Sequence, residues 1–445
     1  MLQSGAPRPG PLMHRLLPCL LLAAGAAGAD GFEVEAQSVL PAATFVPPPC
    51  GAPADFRLSG KYTGPGNLRN DHQGGAPATT GPAPDGRPTG LALPFRGQPL
   101  QGISAIADAG RGRWWALSDN GFGTRRNSPD AMLMLHRLRI DFARGEVRRE
   151  ATLFLRDPQS VIGFRITHEG TRRRFLTGAD LDPESLVADA GGFWIGDEFG
   201  PYLLRFDRNG VLRGWFEARI DGALLRSPDH HAPDPATPPQ VQRSGGFEAL
   251  AAEPGGARLW ALLEKPLVDA QGRPESGWLR MLAFDPRTGS WTGEARRVPL
   301  APDATSVGDL AFDAAGDAWM LERDGGEGDP GLACGDGRPP PGCFATPARH
   351  RALVRLRFEG PEGRRVGAQD LLDLADPRGV ARQRGDSALA AGRFGLPFAT
   401  PEALAVLGDG RLLLANDNNL PFSAGRFLHR ADDTEFILLR ARTGR

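Results

Sequence analysis

Glu184, Asp197 and Glu198 sit at the two ends of ESLVADAGGFWIGDEFG, a short apolar hairpin with carboxylates at both mouths. The pattern returns in GISAIADAGRGRWWALSDNG (102–121), GFEALAAEPGGARLWALLEK (246–265), VGDLAFDAAGDAWMLERDGG (307–326) and TPEALAVLGDGRLLLANDNN (400–419). Aligned, the copies place Ser104, Glu184, Glu248, Asp309 and Glu402 at one position. Asp119, Asp197 with Glu198, Glu264, Glu322 and Asp417 fall at a second. Carboxylates brought to one place repel unless a cation sits among them or a partner donates hydrogen bonds. Oxygen donors without Cys or clustered His suit Ca2+, and suit Mg2+ less well, because Ca2+ accepts many flexible oxygens. The expected metal ligands are therefore Glu184, Asp197, Glu198, Glu248, Glu264, Asp309, Glu402 and Asp417. Any one of these acids alone reads more simply as a strand-end group capping backbone amides. Repetition in register is what favours a shared site.

A cation held this way supports metal-assisted hydrolysis, because it binds substrate oxygens and lowers the pKa of a bound water. Glu248, Asp197 and Lys265 are the expected catalytic residues; Lys265 stands out because Lys61 is the only other lysine. Arg125, Arg126, Lys265 and Arg323 follow second strands and offer donors to an anion. A serine esterase would ordinarily show a G-x-S-x-G elbow. GDSAL (385–389) and GISAI (102–106) both lack the second glycine. Phosphate-cradling and dinucleotide fingerprints are also missing. His230 and His231 lie in a Pro-rich loop and read as solvated rather than ligating. The competing class is a non-catalytic protein that holds Ca2+ structurally and binds a ligand or an envelope partner through its loops.

The elements that must position these residues are hairpins of short strands. Each hairpin is followed by a further alternating run, as in YLLRFDRNG, RMLAFDPRTG and LVRLRFEGPEG. Three or four strands per repeat predict an all-β fold, a β-propeller of five blades. A sixth could hide in the intervals 104–184 or 309–402, or in residues 54–100. After the last hairpin only EFILLRARTG remains, so a segment before Gly102 is expected to supply the missing outer strand. Residues 30–53 and 64–90 are rich in Pro, Gly and Ala and are expected to cross the surface without regular structure. The stretches 226–244 and 323–347 read as insertions between blades.

Forty per cent apolar residues over 445 positions allow a sizeable core, and 59 Gly with 41 Pro favour turns over long helices. A net charge of −1 argues against a nucleic-acid footprint. Arg15, an apolar run over residues 16–27, and Ala27-Gly28-Ala29 form an export leader cleaved after Ala29, with Met13 an alternative start. The organisation expected is a leader (1–29), an N-terminal segment supplying the closing strand (30–99) and the propeller domain (100–445). No other stretch is apolar enough to cross a bilayer, so the mature protein is expected to be periplasmic or secreted. Cys334 and Cys343 bracket a polar loop that a disulfide would pin in an oxidising compartment, leaving Cys50 over.

DPESLV, GGFWIGDEFGPYLLRFDRNG, GGFEALA and SDNG resemble the phytase-like family, described by its esterase-like activity of phytase; the resemblance covers roughly residues 100–442. It implies an exported bacterial protein with a propeller-like β fold that hydrolyses phosphoesters. The partner expected is then a small anionic or ester substrate.

Overall fold

The structure is a computed structural model that describes residues 31–64, 69, 80–82, 85–335, 337 and 339–442, together with Met1. The leader proposed for residues 1–29 therefore lies, beyond Met1, outside the described residues.

Successive side chains of a strand point to opposite faces, and here both faces are buried. In Tyr202–Asp207, for example, Leu203 enters one apolar cluster and Leu204 the next. That two-sided burial explains near-continuous apolar strands such as Leu259–Leu263, LWALL. Tight turns join them. Arg111 and Gly112 both take positive φ, at 59° and 70°, between the strands Ile103–Gly110 and Arg113–Ser118. This backbone twist matches that of paired antiparallel strands.

The strands assemble into antiparallel units of four. The first comprises Ile103–Gly110, Arg113–Ser118, Met134–Asp141 and Glu146–Phe154. The second comprises Pro183–Asp189, Gly192–Asp197, Tyr202–Asp207 and Leu212–Glu217. The third is built from Phe247–Ala252, Leu259–Leu263, Trp278–Asp285 and Ser290–Pro299, and the fourth from Ser306–Phe312, Ala318–Arg323, Arg351–Phe358 and Gly363–Asp370. Thr400–Val406, Leu412–Asp417 and Thr434–Ala441 begin the last unit, and its outer strand is Phe32–Leu40, from the other end of the chain. That strand also touches the first unit through the parallel pair Val39↔Glu146. It thus sits across the join between the last unit and the first. The first strands of the units contact one another in cyclic order, and the last returns to the first.

The core follows this arrangement. An apolar cluster fills each gap between neighbouring units, as where Leu117 and Leu135 meet Leu186 and Ile195, or where Met281 and Val298 meet Val307 and Met320. The fold is all-β and propeller-like. Among the described residues the only helices are the short 3₁₀ turns Ala54–Arg57 and Pro330–Leu332.

One expectation changes. Phe32–Leu40 lies within a stretch read as irregular, yet it is a nine-residue strand. Its own sequence, FEVEAQSVL, has strand-forming residues, and the Pro-rich flank at 47–53 set the local composition. Apart from strands of the first and fourth units, the described residues of the intervals where a further blade could hide form short ladders, such as Leu374–Ala375 with Arg393–Phe394, the first of which also pairs with Phe32–Leu40. Cys334 and Cys343 are disulfide-bonded, and Cys50 is free and exposed.

Candidate metal centre

Every first strand carries a β-bulge near its start. The register slips between Ile103 and Ala105, Pro183 and Ser185, Phe247 and Ala249, Val307 and Asp309, and Pro401 and Ala403. A bulge leaves one residue unpaired and re-aims its side chain. The unpaired residues are Ser104, Glu184, Glu248, Gly308 and Glu402. On the second strands, the residues one step beyond the partners of Ile103, Pro183, Phe247, Val307 and Pro401 are Asp119, Glu198, Glu264, Arg323 and Asp417. These two sets converge.

Carboxylate oxygens of Asp182, Glu184 and Glu198 lie within 4.8 Å of one another, and so do those of Glu198, Glu248 and Glu264. Glu198 belongs to both groups. Arg323 enters from the fourth unit: its Nη2 donates to Glu264 Oε1 at 2.8 Å and lies 3.9 Å from Glu248 and 3.6 Å from Glu402. The fourth unit has no acid at its bulge for a steric reason. A side chain on Gly308 would strike the Pro401 carbonyl of the next unit. Lys265 Nζ is 2.8 Å from Glu264 Oε2 and also donates to the Ser244 carbonyl.

Burial and mutual repulsion dominate the electrostatics. Burial, then Glu264 and Asp182, push Glu198 well above the usual carboxylate range, and burial, then Glu264, Glu402 and Glu198, do the same to Glu248. Glu184 is raised by burial and then by Asp182 and Glu248; Glu402 by burial and then Asp417. Asp119 is raised by burial, then by Asp417 and Asp182. Asp182 and Asp417 rise, chiefly through burial, to about 6. Burial works against the Arg323 and Lys265 cations, yet Glu264 holds both above their ordinary values.

A hard cation fits this donor set. Asp182 Oδ1, Glu198 Oε1, Glu248 Oε1 and Glu402 Oε2 are buried and make no hydrogen bond. Orphaned carboxylate oxygens are costly when buried, and a Ca2+-sized ion takes six to eight oxygens.

Of the acids expected as ligands, Glu184, Glu198, Glu248, Glu264, Glu402 and Asp417 lie in or against this ring. Asp309 does not, because the bulge in its strand falls on Gly308 and shifts it by one place. Its carboxylate instead accepts the Leu404 amide at 2.8 Å and the Leu310 amide at 2.7 Å, tying the fourth unit to the last. Asp197 is likewise committed as a clamp: Oδ1 accepts the Asp182 amide at 2.7 Å and Oδ2 the Gly200 amide at 2.8 Å. Glu322 points elsewhere, to Arg365, His350 and the Ala301 amide. Asp182 was missed, although its place two residues before Glu184 in LDPES was a usable signal.

Beside the ring, Arg125, Arg126 and Arg243 line a cleft of about 460 Å³ with Phe199, Asp229 and Ser244. Arg125 spans it by donating to the Ala179 and Asp229 carbonyls.

A family model described as phytase-like, esterase-like activity of phytase, matches residues 98–420. The chain belongs to the phytase-like family. The match spans every first and second strand that builds the acid ring. A secreted protein of Arthroderma benhamiae, itself uncharacterized, is 30% identical to this phytase-like chain over 141 residues. That is 28% of this chain and 26% of the relative, so the chain matches about a quarter of the relative's length. Among solved structures, regucalcin from Agrobacterium tumefaciens, titled a calcium-binding protein, is 15% identical with a TM-score of 0.35 over 76% of this chain and 90% of that one. PorZ of Porphyromonas gingivalis, a surface component of a type-IX secretion system, is 15% identical with a TM-score of 0.32 over 74% of this chain and 33% of that one. Among the described residues no helix is long and apolar enough to cross a membrane.

Proposed function

We propose that the protein is an exported, five-bladed phytase-like propeller whose axial acid ring binds Ca2+ and hydrolyses phosphoesters or related esters. The observation that carries this reading is the convergence of Asp182, Glu184, Glu198, Glu248 and Glu264 with buried oxygens that have no hydrogen-bond partner. Family membership supports the ester chemistry, and the cyclic contact of first strands supports the blade count. The secreted relative and the Cys334–Cys343 disulfide support export, since disulfides persist in oxidising compartments.

When bound, the cation would supply charge for substrate oxygens and acidify a coordinated water. The chain's own residues do the rest. The cation's charge would bring Glu248 back to a carboxylate, and its oxygen not engaged by the cation is then placed to accept a proton from an attacking water. Arg323 and Lys265 neutralise part of the ring and offer N–H donors to an anionic substrate at its edge. Arg125, Arg126 and Arg243 hold the remaining negative charge of the substrate in the adjoining cleft. Turnover of nitrophenyl phosphate and of phytate by Ca2+-loaded protein is the test. Activity should vanish with a chelator and fall at least about a hundredfold in Glu248→Gln, the usual scale for losing a general base. Full activity in chelator would remove the cation from the reaction.

A second reading has its own observation. Glu198, Glu248 and Glu402 are only 5%, 3% and 5% exposed. Acids this enclosed suit a structural ion that cements the units, with the loops binding a ligand. Calcium-dependent stability without turnover on any ester selects that reading.

A further inference from the structure

The His230-His231 pair, which the sequence presents as solvated, is packed against the second unit. His230 is 4% exposed. One ring nitrogen of each histidine and a carboxylate oxygen of Glu217 lie within 4.8 Å of one another. His230 Nε2 is buried without a hydrogen-bond partner, 3.4 Å from Glu217 Oε1. None of the acid-ring residues takes part.

The remaining ring nitrogens already have oxygen acceptors. His230 Nδ1 is 3.2 Å from the Ala232 carbonyl, and His231 Nδ1 is 2.7 Å from Tyr202 Oη. With protons on both Nδ1 atoms, both Nε2 atoms carry lone pairs. In the other tautomer His230 Nδ1 accepts the Ala232 amide at 3.0 Å, and a metal would select against it. Oxygen acceptors on the second nitrogen of a ligating imidazole fix its tautomer and raise its basicity. The rings are also held in place: His231 stacks on Phe164 with centroids 4.9 Å apart and meets Trp215 edge-on.

Two imidazoles with one carboxylate select a borderline ion of the zinc class over Ca2+, which prefers oxygen alone. We propose that Glu217, His230 and His231 form a zinc site, separate from the acid ring, that fastens the loop at 226–241 to the second unit. The loop matters to the cleft. Asp229, the residue before the pair, accepts from Arg243 and presents its carbonyl to Arg125. Zinc binding therefore fixes one wall of the basic cleft.

The test uses the mature chain with Ca2+ present to fill oxygen sites, titrated calorimetrically with Zn2+ alone. One equivalent of saturable binding is expected. It should persist in Cys50→Ser and weaken at least about tenfold in Glu217→Gln and in His231→Gln, since loss of a mere supporting partner already costs that much. Both substitutions are at half-buried positions, and an unchanged Ca2+ response in each variant checks its fold. Hydrogen exchange across 226–241 should slow on adding Zn2+ to the parent and not to Glu217→Gln. Zn2+ binding of undiminished affinity in both variants, or no saturable uptake by the parent, overturns the proposal.

Discussion

Asp309 and Glu248 look alike in the aligned repeats and do opposite things. Glu248 has an oxygen with no hydrogen-bond partner inside the ring, whereas Asp309 spends its oxygens on two amides, one from a neighbouring unit. Asp309→Ala should accordingly lower stability by about 1–3 kcal/mol, the cost of stranding buried amides, while leaving the response to Ca2+ intact. Chemical denaturation with and without Ca2+ measures both, and a lost Ca2+ response would put Asp309 back among the ligands. His136 allows a prediction on pH. Burial, then Arg149, lowers its pKa to about 3; Nδ1 pairs with Thr152 Oγ1 at 2.9 Å and Nε2 has no partner. The unfolded chain protonates this histidine near its ordinary value of about 6.5, while the folded protein keeps it neutral. Its share of stability is thus complete above about 6.5 and is lost as pH falls toward about 3, at about 1.4 kcal/mol per unit. His136→Gln should flatten the fall in stability between about pH 6 and 4 by one proton's worth. An unaltered slope in denaturant melts across that range would show that the folded protein protonates His136.

The strands show where sequence is legible and where it stops. Apolar alternation, Gly turns and the repeat length are local properties, so the hairpins of all the units could be read directly. A bulge is a property of a pair of strands. In VGDLAF nothing local says whether Gly308 or Asp309 falls out of register, and a slip of one residue sends a side chain to the other face. The register also explains Arg323: Val307 pairs with Glu322, so the residue one step beyond, where other units have Glu198 and Glu264, is Arg323. His230 was misread for a related reason. Its loop is rich in Pro and polar residues, and the aromatic floor comes from elsewhere in the chain: Tyr202 meets His230, and Phe164 and Trp215 meet His231 beside it. The closing strand shows the remaining gap. A segment before Gly102 is expected to supply it, but the composition of the flanks hides that it is Phe32–Leu40, whose partners in Thr434–Ala441 lie about four hundred positions away. Deleting residues 32–40 leaves Thr434–Ala441 as an open edge and uncovers Leu439 and Ile437. A large drop in the melting midpoint, or loss of soluble folded protein, is expected; an unchanged midpoint would make this strand dispensable to the ring.

Taken whole, the protein places units around an axis and directs its acids inward. Each gap between units is filled by an apolar cluster, as with Phe247 and Leu250 against Trp194 and Leu203. The centre opposes that cohesion, because Arg323 and Lys265 do not balance the acids from Asp119, Asp182, Glu184, Glu198, Glu248, Glu264, Glu402 and Asp417. A cation bound only by the folded state would offset this strain and raise stability by about 2.7 kcal/mol at a hundredfold excess over Kd. The most direct test of the acid ring is the melting midpoint of the protein and of a Glu248→Gln, Glu402→Gln double variant, each in chelator and in Ca2+. The midpoint of the parent should rise with Ca2+ and fall back in chelator, while that of the double variant stays the same in both. A parent midpoint indifferent to Ca2+, or an equal rise in the double variant, would contradict a cation site at this axis.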